Sequence, residues 1–103
     1  ATSFDCSGFV SWVINHSGWN VGRLGAKALC NLCTPVSPAN AQPGDLVFFI
    51  NTYNAPDPSA PTHCGIYVGN HMMIHCGSPI SYADLNSTYW QDHFYTYARL
   101  PSP

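Results

Sequence analysis

Apolar side chains recur at helical spacing early in the chain and at strand spacing in its second half. Phe9, Val10, Val13 and Ile14 fall on one face with Cys6, which is the stripe of an amphipathic helix. The spacing predicts a helix over about Cys6 to Ser17. Ser3 or Asp5 can cap its start, and polar Asn15 to Ser17 followed by Gly18 can end it. A weaker stripe of Leu24, Ala28, Leu29 and Leu32 predicts a second helix over Ala26 to Leu32. Pro35 to Pro43 is a turn-rich connector. Asp45 to Ile50 carries a near-continuous apolar run, which fits a strand inside a sheet. Asn51 to Pro61 holds Pro56, Pro58 and Pro61 and predicts a loop. Near the end, Tyr82 sits in a short extended piece, Thr88 to His93 is a helical turn, and Phe94 to Leu100 is a last strand. Helices first and an antiparallel sheet afterwards give an α+β fold. No internal repeat or linker divides residues 1–103, so the chain is one domain.

The segment His63-Cys64-Gly65-Ile66-Tyr67-Val68 and the segment Met72-Met73-Ile74-His75-Cys76 flank Gly69, Asn70 and His71. Two β-prone runs about a Gly-Asn turn predict a hairpin. Side chains alternate faces along a strand. His63 and His75 therefore share a face when paired residue numbers sum to an even value. A three-residue loop pairing Val68 with Met72 meets this condition. It puts Gly65 opposite His75 and leaves His63 diagonal to it, within reach of ring side chains.

That parity matters because of Cys6. A thiol in the first turn of a helix faces N–H groups that lack helical partners and the positive end of the helix dipole. Both favour the thiolate, the nucleophilic form. Two histidines brought to such a cysteine supply a base and a group to orient it. A helix-start cysteine that only packs is the competing expectation.

Composition narrows the classes. Hydrophobic residues make up 46% and charged residues 8%, with a net charge of −2. So few charges argue against a disordered tail or a nucleic-acid binder. The longest apolar stretch, Leu46 to Ile50, is too short to span a membrane. Cys30-x-x-Cys33 has zinc-knuckle spacing, but no second close pair exists to complete it. Cys64 and Cys76 point away from the histidine face and sit opposite one another. They are expected as buried thiols, with a cross-strand disulfide as the alternative. No metal or other cofactor is called for.

Three blocks carry a resemblance: Asp5-Cys6-Ser7-Gly8-Phe9, Pro43-Gly44-Asp45-Leu46-Val47-Phe48-Phe49, and His63-x-Gly65-Ile66-Tyr67-Val68-Gly69. In order and spacing they resemble the signature blocks of the NlpC/p60 cysteine peptidases. These are papain-like bacterial enzymes that cut peptidoglycan stem peptides. The run from Met73 to Ile80 and the pair Tyr89-Trp90 look closest to endopeptidase domains of two-domain wall lysins. Such lysins are carried by Gram-positive bacteria, conjugative elements and phages.

The resemblance implies Cys6 as nucleophile, His63 as general base and His75 as the polar residue orienting the base. It places Asp5 and Ser7 in the substrate groove. It implies a papain-like fold, a stem peptide as partner and no cofactor. It also implies a secreted location in the bacterial wall and further lysin domains outside this chain. Family members carry a tyrosine-bearing loop before the nucleophile, whereas this chain starts five residues ahead of Cys6. Weak activity of these 103 residues by themselves is therefore expected. The alternatives are an acyltransferase or amidase on the same scaffold, or an inactive wall-binding or zinc-binding module. His16, His71 and His93 are expected to be exposed, Asp45 to tie down a strand start, and the three tryptophans mostly to pack. Arg23 suits either a substrate carboxylate or a surface salt bridge.

Overall fold

The computed structural model describes residues 6–53, 57, 59–77 and 80–102. Two helices, α1 (Cys6–Asn15) and α2 (Ala26–Leu32), precede the sheet strands. These are β1 (Thr34–Val36), β2 (Leu46–Phe49), β3 (His63–Gly69), β4 (Met72–Cys76), β5 (Ile80–Asp84) and β6 (Phe94–Arg99). A short helix α3 (Thr88–His93) leads into β6, and a single 3₁₀ turn, Pro38–Asn40, follows β1. The six strands form one antiparallel sheet in the order β1-β6-β2-β3-β4-β5. This is the expected α+β architecture.

The helix α1 ends at Asn15, two residues before the predicted Ser17. Asn15 itself stops it. Its amide donates to Ser11 O at 2.9 Å and Gly22 O at 2.7 Å, while its Oδ1 accepts from Val21 N at 2.8 Å. A mid-helix residue could not serve the following loop in this way. The chain then reverses at Gly18, whose φ of +109° is closed to most side chains. The proposed caps Ser3 and Asp5 lie outside the described residues.

The apolar run of β2 is buried throughout, as its interior position between β6 and β3 requires. Its side chains alternate between two cores. Leu46 and Phe48 join Phe9, Val10, Ile14 and Leu29 from the helices, with Cys64 and Ala98. Val47 and Phe49 face the other way, with Met73, Leu85, Tyr97 and the half-buried Trp90. The sheet thus separates a helix-covered aliphatic core from an aromatic one. All five cysteines are thiols, so the cross-strand disulfide between Cys64 and Cys76 is not formed.

Asp45 sits just before β2 and is buried, with Arg99 gripping it in bidentate fashion. Arg99 Nε donates to Oδ1 at 2.8 Å and Nη2 to Oδ2 at 2.9 Å. Gln42 N donates to the same carboxylate at 2.8 Å. Asp45 therefore ties the start of β2 to the end of β6. Arg99 lowers its pKa, with the Gln42 N–H acting in the same direction against burial.

Two expectations need correction. Val36 and its neighbours in the connector form the edge strand β1, pairing Thr34 with Arg99 and Val36 with Tyr97. Pro35 is tolerated because this strand has only one neighbour. The hairpin register holds through Gly65↔His75, Ile66↔Ile74 and Tyr67↔Met73, but Met72 pairs with Gly69 instead of Val68. The loop is two residues, Asn70 (φ 53°) and His71 (φ 60°), both in the left-handed region. Such a turn suits the twist of the hairpin. Val68 is consequently bulged out, and the face-sharing of the two histidines survives.

Candidate active site

His63 opens β3 and pairs directly with Phe49, so both lie on the aromatic side of the sheet. His75 in β4 lies opposite Gly65 on the same side. A Cβ at Gly65 would fall 2.6 Å from Met73 Sδ and 3.2 Å from His75 Cβ. The missing side chain leaves the room that Met73 and the Cβ of His75 occupy. His63 Nε2 lies 2.9 Å from His75 Nδ1, with the rings nearly perpendicular at 81°.

Cys6 comes from the opposite side. Its helix packs on the aliphatic core, and the sulfur sits at the start of β3. Cys6 Sγ is 3.8 Å from Thr62 O, a weak outlet for a thiol proton. The Cys64 thiol and backbone N–H and the His63 ring also favour the charged sulfur. Since Nε2 of His63 is engaged by His75, Nδ1 is the nitrogen left for Cys6. The sequence expectation aimed two histidines on one sheet face at a helix-start cysteine. In the structure they meet at the end of a strand, where α1 and the aromatic side come together.

The electrostatics follow this geometry. Donation from the Cys64 thiol is the largest influence on Cys6, with His63's hydrogen bond and charge helping and burial opposing. The net result lowers the Cys6 pKa to about 4. His75 is buried, and burial together with the charge of His63 lowers its pKa, against a smaller pull from Cys6. A neutral His75 with its proton on Nε2 leaves Nδ1 to accept from His63 Nε2–H. The three groups thus form a line that runs from the Cys6 sulfur through the His63 ring to the His75 ring.

Trp90 closes the arrangement. Its indole stacks on His63 with centroids 5.3 Å apart and planes at 21°, and it meets His75 edge-on at 5.2 Å. Phe49 supports it from below, 4.6 Å away. Trp90 was expected mostly as packing, with a sugar-binding groove as the alternative, and its contact with the two histidines was not foreseen. The role of Cys64 was likewise hidden, because a residue adjacent to His63 points to the other face.

Ser7 follows Cys6 in α1 and is 9% exposed; Asp5 lies outside the described residues. His16 and His71 are exposed as expected, with His16 stacked on Trp12 at 4.1 Å. His93 departs from expectation. It is half-buried, with Nδ1 2.8 Å from Ile50 O, so it anchors the end of β2. Cys30 and Cys33 lie at the end of α2. Among the described residues, no three His, Cys, Asp or Glu side chains converge on a metal position.

The chain is similar to known proteins along nearly its whole length. The chain is 42% identical over 100 residues to the bifunctional muramidase/DL-endopeptidase CwlT of Bacillus subtilis, covering 96% of the chain and 29% of that protein. It is 37% identical over 94 residues to the probable peptidoglycan endopeptidase LytE of the same species, covering 90% and 26%. It spans less than a third of either relative. A solved structure of a lipoprotein-like NLP/P60 protein from Staphylococcus aureus superposes with a TM-score of 0.91 at 41% identity. That match covers 99% of this chain and 34% of the other. The family model described as NlpC/P60 matches residues 1–99, and the chain belongs to that family.

Proposed function

We propose that this domain is a cysteine peptidase that hydrolyses peptidoglycan stem peptides in the bacterial cell wall. The observation that carries the reading is the line Cys6–His63–His75. A thiol with its pKa lowered to about 4 is joined to an imidazole, which is held 2.9 Å from a second imidazole. The names of the relatives, a DL-endopeptidase and a peptidoglycan endopeptidase, support the substrate class.

In this mechanism Cys6 rests as a thiolate beside protonated His63. The sulfur attacks the amide carbon, and the developing oxyanion takes a hydrogen bond from the backbone N–H of Cys6. His63 gives its proton from Nδ1 to the leaving amine as general acid. Water, deprotonated by the same nitrogen, then hydrolyses the thioester. Throughout, His75 accepts from Nε2–H and fixes the plane in which Nδ1 faces the sulfur. The bond cut is the one between D-γ-glutamate and the diamino acid at stem position three.

The test is chromatography of muropeptide digests incubated with the domain. Products ending in D-γ-glutamate, lost in Cys6→Ala, are expected. Unchanged muropeptides with the wild-type chain, or cleavage that persists in Cys6→Ala, would overturn the assignment.

A further inference from the structure

A second thiol beside a nucleophilic sulfur has chemical consequences beyond acidity. Cys64 is completely buried in β3, in the core that α1 covers. Cys6 is only partly buried, packs against that same core and places its sulfur 3.8 Å from Thr62 O, two residues before Cys64 in the chain. Cys6 at the start of α1 and Cys64 in β3 are thus brought together where the helix packs on that strand. Cysteines on two packed elements can be bridged when their Cα atoms come within about 7 Å. Access is asymmetric, since an oxidant from solvent reaches Cys6 and not Cys64.

We propose that Cys6 and Cys64 form a site of reversible oxidation by hydrogen peroxide, with Cys64 as the resolving thiol. The Cys6 thiolate attacks one peroxide oxygen, the O–O bond breaks, and a sulfenic acid and hydroxide result. The hydroxide takes the Cys64 proton. The Cys64 sulfur then attacks the sulfenic sulfur, the S–S bond forms, the S–O bond breaks, and the departing hydroxide leaves as water once protonated. In sum, two thiols and one peroxide give one disulfide and two waters. The disulfide withdraws the nucleophile yet prevents irreversible sulfinic acid, the next rung of thiol oxidation. Exposed thiolates are the sites where such oxidation concentrates. Cys30 and Cys33 are the internal contrast, because burial raises both of their pKa values and neither presents a stable thiolate.

The inference rests on the proposed role of Cys6 only for its activity readout. The reduced 103-residue chain is treated with equimolar hydrogen peroxide near neutral pH, then analysed by intact mass and peptide mapping. A two-hydrogen mass loss and a Cys6–Cys64 linked peptide are expected. Stem-peptide hydrolysis should fall at least about tenfold, since a disulfide offers no nucleophile, and dithiothreitol should restore it. Cys64→Val and Cys64→Ala, both checked for folding by circular dichroism, should instead accumulate oxygen adducts on Cys6 that dithiothreitol reverses poorly. A wild-type chain that gains oxygens on Cys6 without the linkage, or a linkage through Cys30, Cys33 or Cys76, would overturn the proposal. So would Cys64 variants as fully rescued as wild type. The mapping needs no turnover. A correct disulfide in a chain that never cleaves muropeptides would therefore reject the peptidase reading and leave the oxidation site standing.

Discussion

Cys6 and Cys33 are the same side chain at opposite ends of two helices, and they have opposite chemistry. Cys6 is the first residue of α1, where helix N–H groups and dipole favour negative charge. Cys33 caps the end of α2, its N–H bonded to Cys30 O at 3.2 Å, where the dipole disfavours it. Cys6 is surrounded by donors, the Cys64 thiol foremost and His63 next, and its pKa is lowered to about 4. Cys33 is buried among apolar groups, with Cys30 and the Asp45 carboxylate adding like charge, and its pKa is raised to about 11. Burial opposes ionisation at both. The difference lies in whether the fold supplies hydrogen-bond donors to repay it. Reactivity in this chain is thus a property of neighbours, and a cysteine count says little about it.

The sharpest way to break that contrast is to delete each sulfur. Cys6→Ala should lower kcat/KM on muropeptides by about 10⁴-fold or more, the scale seen when a covalent nucleophile is lost. Cys33→Ala should leave it within about twofold, because this residue is far from the chemistry in function and costs only packing. Comparable losses in both would mean that the folded core, and not the thiolate, limits the assay.

Next come the histidines that make Cys6 different. His63→Ala should cost about 10²–10⁴-fold, the usual contribution of a general acid–base group. His75→Ala should cost less, and His75→Asn less still, because an amide can restore one hydrogen bond to Nε2 of His63. Steady-state rates on one substrate at one pH separate the three. Equal losses for the two His75 variants would show that His75 does more than orient.

A third contrast uses alkylation and its pH dependence. Near neutral pH, iodoacetamide should modify Cys6 at least about tenfold faster than Cys33, even though a low-pKa thiolate is intrinsically the weaker nucleophile. Cys6 carries its charge above its lowered pKa, so labelling should persist into mild acid and fall only as pH drops through about 4. Cys33 should remain unlabelled until pH approaches 11. Peptide mapping of partially labelled protein measures both. Cys33 reacting first at pH 7 would reverse the comparison.

The smallest expected effect tests the support beneath the imidazoles. Gly65→Ala would push a methyl group toward Met73 Sδ and His75 Cβ. Overpacking of this kind costs about 1–3 kcal/mol, visible as a lower Tm in a thermal melt. Turnover should fall as well, because His75 must shift. A normal Tm with normal turnover would show that the sheet yields without moving the histidine.

Much of this arrangement is legible in the residues, and what is not has a physical reason. The stripe of Phe9, Val10 and Ile14 locates α1 because one helix face is wholly buried. The unbroken run in β2 locates an interior strand for the same reason. Parity alone brings His63 and His75 to one face, and it is insensitive to the bulge at Val68, since the register from Tyr67 inward is unchanged. The strand β1 escapes notice because a proline in an edge strand looks like a connector. Trp90 and Cys64 escape because their importance comes from what lies across the fold. The indole meets His63 only after α3 folds over the aromatic side, and the Cys64 thiol meets Cys6 only after α1 docks on the other. Local sequence records which way a side chain points, not which distant group waits there.

The place of β6 in the sheet has a bearing on how the molecule comes to exist. The last strand is inserted between β1 and β2, joining Thr34 to Arg99 across 65 positions of chain. Until residues 94–99 are available, β1 has no partner and β2 exposes an open edge lined with apolar groups. Assembly therefore waits for the end of the domain, and such long-range closure slows folding. A chain shortened ahead of Arg99 would lose a strand, the Asp45 clamp and the cover over β2 together. It should be recovered as an aggregate and not as a smaller working enzyme.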